Sequence, residues 1–127
     1  MSEILVNKLT GTSTAGNITV TSEGGAATMQ LQQSLVKFWI QASLSTMSYN
    51  DSFNASSATD TATGQMTSAF TNNFSNAYYS ITGASNNGDA GVYNGTQTTS
   101  QWRTYMRSEA NADVDASFAG YMIAGDL

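Results

Sequence analysis

The chain has 127 residues, 4 basic and 9 acidic side chains, a net charge of -5 and neither Cys nor His, a length that suits one domain with a modest core. With only Lys8, Lys37, Arg103 and Arg107, widely scattered, it lacks the clustered cations that hold phosphate, which excludes nucleic acid; without Cys it has no disulfide scaffold and no thiolate metal site. Ser, Thr, Asn and Gly make up 56 residues, so neutral polar groups solvate the chain, while two Trp, six Tyr and five Phe supply the core that a disordered segment would lack.

The chain opens with "MSEILVNKLTGTSTAG", where the apolar run Ile4–Val6 dissolves into small residues at Gly16. We expect an extended N-terminal arm or first strand over 1–16, and one domain over 17–127. No apolar run reaches membrane-spanning length, and the acid at Glu3 with so short an apolar core does not make a signal peptide. The expectation is an untargeted product made in a cytoplasm, with no membrane insertion. Ile18 and Val20 alternate with Thr19 and Thr21, the period of a half-buried strand, before a turn at Gly24–Gly25. In "MQLQQSLVKFWIQAS", Leu31, Leu35 and Phe38 have helical spacing, whereas Val36, Phe38 and Ile40 alternate with Lys37, Trp39 and Gln41. β-Branched and aromatic content favours a helical or irregular stretch to Leu35, then a strand over Val36–Ala42.

From Ser52 onward, turns recur about every ten residues. Phe53 and Ala55 share one side of a strand, "TDTATG" reads as a turn ending at Gly64, and Met66, Ser68 and Phe70 share one face of the next run, which makes a hairpin. After the bend "TNNFSNA", Ala77, Tyr79 and Ile81 alternate with Tyr78, Ser80 and Thr82, until "TGASNNGDAG" breaks the pattern. "SQWRTYMRSE" alternates Trp102, Thr104 and Met106 with Arg103, Tyr105 and Arg107, although Trp102, Tyr105 and Met106 also fit a helical turn. "DASFAGYMIAGDL" places Phe118 and Met122 on one face, Tyr121 and Ile123 on the other. The pattern predicts an all-β protein, an antiparallel β-sandwich of about six to eight strands. Its core or interfaces would hold Phe38, Ile40, Phe53, Phe70, Tyr79, Ile81, Trp102 and Phe118. Strands apolar on both faces, Val36–Ala42 and Ser117–Ala124, have more to cover than one sandwich can, which predicts a homo-oligomer.

The opening "MSEILVNKLTGTSTAGNITVTSEGGAATMQLQQSLVKFWI", the central "DSFNASSATDTATGQMTSAFTNNFSNAYYSITG" and the ending "AGDL" together resemble small virion structural proteins of tailed bacteriophages from marine and aquatic hosts. The block Ser52–Gly83 is the most specific part, similar to tail-fibre and appendage domains, and it departs from them at Met66–Thr67–Ser68. The resemblance implies a tail-fibre or similar appendage subunit, with a capsid decoration protein (cement or head fibre) as the alternative. It also implies a virion location, other virion proteins as partners, and a trimer. Low charge suits a surface bathed in salt that screens charge over a few ångströms.

Two rivals compete with that reading. For catalysis, the absence of His removes the commonest general base and every Ser-His-Asp arrangement; we expect no enzyme and no cofactor. Glu109, Asp113 and Asp115 cluster in sequence, and the two Asp on one strand face could offer oxygens to Ca²⁺, but they lack the twelve-residue calcium-loop pattern, and a solvated acidic loop is the simpler reading. For a carbohydrate-binding module, Trp39, Tyr78, Tyr93 and Trp102, with Tyr79, are the aromatics that could stack on a host glycan. Asn86, Asn87, Asp89 and Asn94 would supply hydrogen bonds. The sequons at Asn17 and Asn54 follow from an Asn- and Thr-rich composition and carry no weight.

Overall fold

Alternating Thr, Ser and aromatic residues suit the pleated backbone, where successive side chains leave opposite faces. The computed structural model describes residues 4–12, 18–21, 25, 27–32, 34–87, 89–92 and 96–127, and none of these is helical. The chain divides into two compact units, Met1–Leu35 and Val36–Leu127. In the first, β1 (Thr19–Thr21) and β2 (Thr28–Gln30) form an antiparallel hairpin with Val20 opposite Met29. The Leu31 N–H donates to the Ile18 carbonyl at 2.7 Å and extends that ladder. Residues 4–12 of the expected arm carry no strand; Gly16, Asn17 and Gly24 lie outside the described residues.

The second unit holds β3 (Phe38–Ser43), β4 (Ser48–Phe53), β5 (Ala55–Ala62), β6 (Gln65–Phe70), β7 (Ser80–Ser85), β8 (Asp89–Val92), β9 (Gln101–Arg107) and β10 (Ala119–Ala124). They form two four-stranded sheets, β4-β3-β10-β7 and β5-β6-β9-β8, with every pairing antiparallel. This is the expected all-β sandwich, its eight strands at the top of the expected range. The inner faces follow period two: Phe38, Ile40 and Ala42 from β3, Met66, Ser68 and Phe70 from β6, Trp102, Thr104 and Met106 from β9, Ala119, Tyr121 and Ile123 from β10, all buried. Edge-to-face rings join the two layers. Phe38 meets Phe70 at 5.2 Å and Trp102 at 5.9 Å, and Trp102 meets Tyr121 at 4.8 Å. Such pairs add about 0.5–1.5 kcal/mol each beyond the area they bury.

Three expectations are corrected by how the chain turns. Phe53 and Ala55 do not share a strand: Asn54, at φ 61°, separates β4 in one sheet from β5 in the other. The left-handed conformation, which Asn tolerates best after Gly, bends the chain through a corner of the sandwich. "TDTATG" is mostly strand, since β5 runs to Ala62 and the reversal takes only Thr63 and Gly64, the latter at φ 74°. The run expected from Ala77 begins at Ser80 and passes straight through Gly83. Gly83 is not a breaker here, because a Cβ would fall inside the Tyr121 ring on the neighbouring strand. The residues expected in the core or at interfaces divide. Phe38, Ile40, Phe70, Tyr79 and Trp102 are buried and Ile81 packs partly against them, but Phe53 and Phe118 are exposed. Their places are taken by Leu44, Phe74, Tyr121 and Ile123.

Candidate functional site

The outward face of β4-β3-β10-β7 is where side chains accumulate that the core does not use. Pairing registers set Phe53 beside Trp39, Trp39 beside Met122, and Met122 beside Thr82, one row across all four strands. The next outward row reads Asp51, Gln41, Gly120 and Ala84. A tall apolar row thus borders a low one. Phe53 and Met122 are each 51% exposed, and Phe118 rises beyond the low row at 39%. The step leaves a concavity of about 370 Å³ lined by Trp39, Thr82, Ala84, Phe118, Gly120 and Met122 among others. A second one, of about 210 Å³, shares Thr82 and Met122 and leads on to Val36, Ser80 and Ala124. Gly120 makes the first hollow, for a Cβ there would meet nothing nearer than Phe118 Cζ at 3.9 Å. Asn86 fixes the far rim: its side-chain amide donates to Ser117 Oγ at 2.9 Å and accepts the Phe118 N–H at 3.1 Å.

The stacking candidates scatter. Trp39 lines the concavity, whereas Trp102 is fully buried between the sheets and presents no face to a ligand, which corrects its place among the candidates. Tyr78 is 94% exposed, on a bend where its N–H donates to Asn76 Oδ1 at 2.8 Å. Tyr79 is buried, and its hydroxyl donates to the carbonyls of Thr98 (3.0 Å) and Gln101 (3.1 Å). Tyr93 and Asn94 lie outside the described residues. Asn86 is committed to the Phe118 rim and is not free for a sugar.

The acidic cluster does not converge. Asp113 sits on an isolated bridge to Arg107, not on a strand face shared with Asp115, and its carboxylate accepts from Arg107 Nε at 3.2 Å. Arg107 also donates to Asn111 Oδ1 at 2.7 Å and lies 4.9 Å from the Tyr105 ring centroid. Asp115 Oδ1 instead accepts the Gly64 N–H at 2.6 Å, pinning the β5–β6 turn. Among the described residues, no three His, Cys, Asp or Glu side chains come together as metal ligands. Shifted titrations trace to burial. It pushes the Tyr79 phenol up to about 12, against the hydrogen bond to Thr98, and raises Tyr49 and Tyr121 as well. Burial lowers the Lys37 ammonium, which Asp126 partly offsets.

What the fold and site define is a two-layer antiparallel sandwich with an aromatic-walled hollow on one outer face, lined by no charged side chain among the described residues. No protein family, curated protein or solved structure matches the chain. Of the residues that form the hollow, Phe118 and Met122 are legible in the sequence as one face of a strand. Gly120 is missed by alternation alone, although a Gly inside an alternating run is a signal of close approach or of open space.

Proposed function

We propose that the chain is a structural subunit of a bacteriophage virion, part of a tail fibre or similar appendage, and that it joins neighbouring subunits through the outward β4-β3-β10-β7 face. The observation that carries this reading is the row Phe53, Trp39, Met122 above the Gly120 hollow. The solvated face of an antiparallel sheet is ordinarily polar, and contiguous exposed apolar surface marks an interaction site. A protein partner suits it better than a sugar. The cross-strand neighbours of Trp39 are Phe53 and Met122, which offer no directional hydrogen bonds, and the nearby Asn86 amide is already paired. The virion assignment itself rests on the resemblance over Ser52–Gly83 and on the neutral, Cys-free composition.

The test is localisation. Gradient-purified particles should contain the protein by mass spectrometry, and gold-labelled antibody should decorate the tail. Label on the head would move the assignment to the capsid decoration alternative. Absence from intact particles would end the virion reading altogether.

A further inference from the structure

The hollow has an occupant of matching length and chemistry in the chain itself. We propose that the outward groove beside β10 receives the N-terminal Ile4–Leu9 segment of a second copy, so that each subunit donates an arm to one neighbour and accepts one from another. This deepens the assembly reading above and rests on it.

The two concavities, which share Thr82 and Met122 in their lining, together follow the chain from Phe118 to Ala124, a span of roughly 20 Å at about 3.3 Å per strand residue. Six extended residues fill that span, and Ile4–Leu9 is six residues long. Chemistry comes next. Among the described residues, no charged side chain lines either concavity and most of the lining is apolar, so a partner gains chiefly by bringing apolar side chains. Ile4 and Leu5 stand 82% and 83% exposed in the single chain and Val6 57%, a contiguous apolar run left in water. The two surfaces also carry opposite charge. Lys8 is the single charged residue of Ile4–Leu9, and Asp51 is the single charged residue of β3, β4, β7 and β10; Asp51 flanks the low row next to Gln41.

Area separates this arrangement from a simple pairing of faces. Four strands about 4.8 Å apart and six residues long present on the order of 400 Å² of sheet, about half of the roughly 800 Å² per partner that a stable interface buries. An arm seated in the groove adds its own surface to the contact. Each copy carries one arm and one groove, so an exchange passed head-to-tail around a rotation axis closes into a ring.

The Cys-free chain makes the test clean. Leu5→Cys and Ala84→Cys each replace an exposed residue, so the fold of either full-length variant is undisturbed. Mixed at micromolar concentration and oxidised, the two should give a covalent dimer joining position 5 of one chain to position 84 of the other, well in excess of either homodimer. Gly120→Trp added to the acceptor fills the groove from an open position and should cut the yield at least tenfold. Disulfides between two position-84 thiols alone would show faces packing together and overturn the proposal. So would a bond that forms only within a single chain carrying both substitutions, or a yield indifferent to Gly120→Trp. Particle incorporation of the wild-type protein is scored separately: a protein present in virions whose paired variants form no bond between positions 5 and 84 defeats the arm exchange and leaves the virion reading standing.

Discussion

Tyr79 illustrates how one buried hydroxyl ties loop to core. Its ring packs 4.7 Å from Phe74 and 5.8 Å from Phe70, while its O–H reaches the carbonyls of Thr98 and Gln101 ahead of and within β9. Tyr79→Phe keeps the ring and takes that donor from the Thr98 carbonyl, while the Gln101 carbonyl still accepts from the Thr98 N–H and hydroxyl, so it should destabilise the fold by about 1 kcal/mol in urea unfolding at pH 8. The same residue sets a pH dependence. Its folded pKa, about 12, lies above the ordinary 10, as burial also arranges for Tyr49 and Tyr121. A raised pKa means that the unfolded chain loses its protons first, so the stability present below pH 10 is lost as pH climbs from 10 through 12. Lys37, lowered by burial, works the other way, but its gain with rising pH is complete by its ordinary 10.5. Unfolding free energy should therefore fall steeply between pH 10 and 12, and less steeply in Tyr79→Phe; a flat profile to pH 12 would contradict the assignment. Gly64 is the second sensitive residue. At φ 74°, with a Cβ set to meet Met106 O at 2.6 Å and Val114 N at 3.1 Å, Gly64→Ala should cost about 2–3 kcal/mol, read as a lower melting temperature. A neutral effect would mean that the turn is not held as described.

At the scale of the element, the corner between β4 and β5 decides which sheet each strand joins. Asn54 makes it possible twice over: its backbone accepts φ 61°, and its side chain bonds four ways, Nδ2 donating to the carbonyls of Lys37 (3.0 Å) and Asn72 (3.1 Å) and Oδ1 accepting from the Asn72 N–H (2.6 Å) and Nδ2 (3.2 Å). Asn54→Ala loses both features and should destabilise by about 2–4 kcal/mol, whereas Asn54→Gly keeps the backbone conformation and should lose less. Equal losses in chemical denaturation would show that the side-chain bonds, not the conformation, carry the corner. This corner also shows where reading the chain succeeds and fails. Alternation in Met66, Ser68, Phe70 and in Trp102, Thr104, Met106 is plain, since period two depends only on neighbours in sequence. It groups residues into faces without saying which face is inward. For that reason Trp102 and Trp39 look equivalent as stacking platforms, until sheet pairing buries one and leaves the other at the groove. The corner at Asn54 and the continuation of β7 through Gly83 are hidden for a related reason. Each depends on a partner far along the chain: Asn72 and Lys37 for the first, the Tyr121 ring for the second. The polar strand Ser48–Phe53 carries no alternation to find.

For the whole molecule, the decisive contrast is between the two outer faces. β5, on the edge of its sheet, shows water Ser, Thr and Asp60 and is broken by two register shifts, features that discourage association through an edge. The β4-β3-β10-β7 sheet instead turns Phe53, Trp39 and Met122 outward in one row with no charge among them. Phe53 and Met122 are about half exposed, so covering the rest of either on association is worth about 1 kcal/mol. Stability and assembly should therefore separate at Met122, whose neighbours on the row are Trp39 and Thr82. Met122→Glu places a carboxylate on an exposed strand position, where its effect on unfolding should stay within about 1 kcal/mol. At the proposed interface it must be desolvated on a row whose own neighbours, Trp39 and Thr82, carry no charge, a penalty that adds to the lost apolar contact. Sedimentation equilibrium should show the mutant shifted towards monomer by at least a hundredfold in dissociation constant, with the urea midpoint nearly unchanged. Two results would count against the assembly face. One is a wild-type protein that is monomeric at the highest soluble concentration; the other is a mutant that unfolds as readily as it dissociates, because Met122 would then be serving the fold instead of a partner.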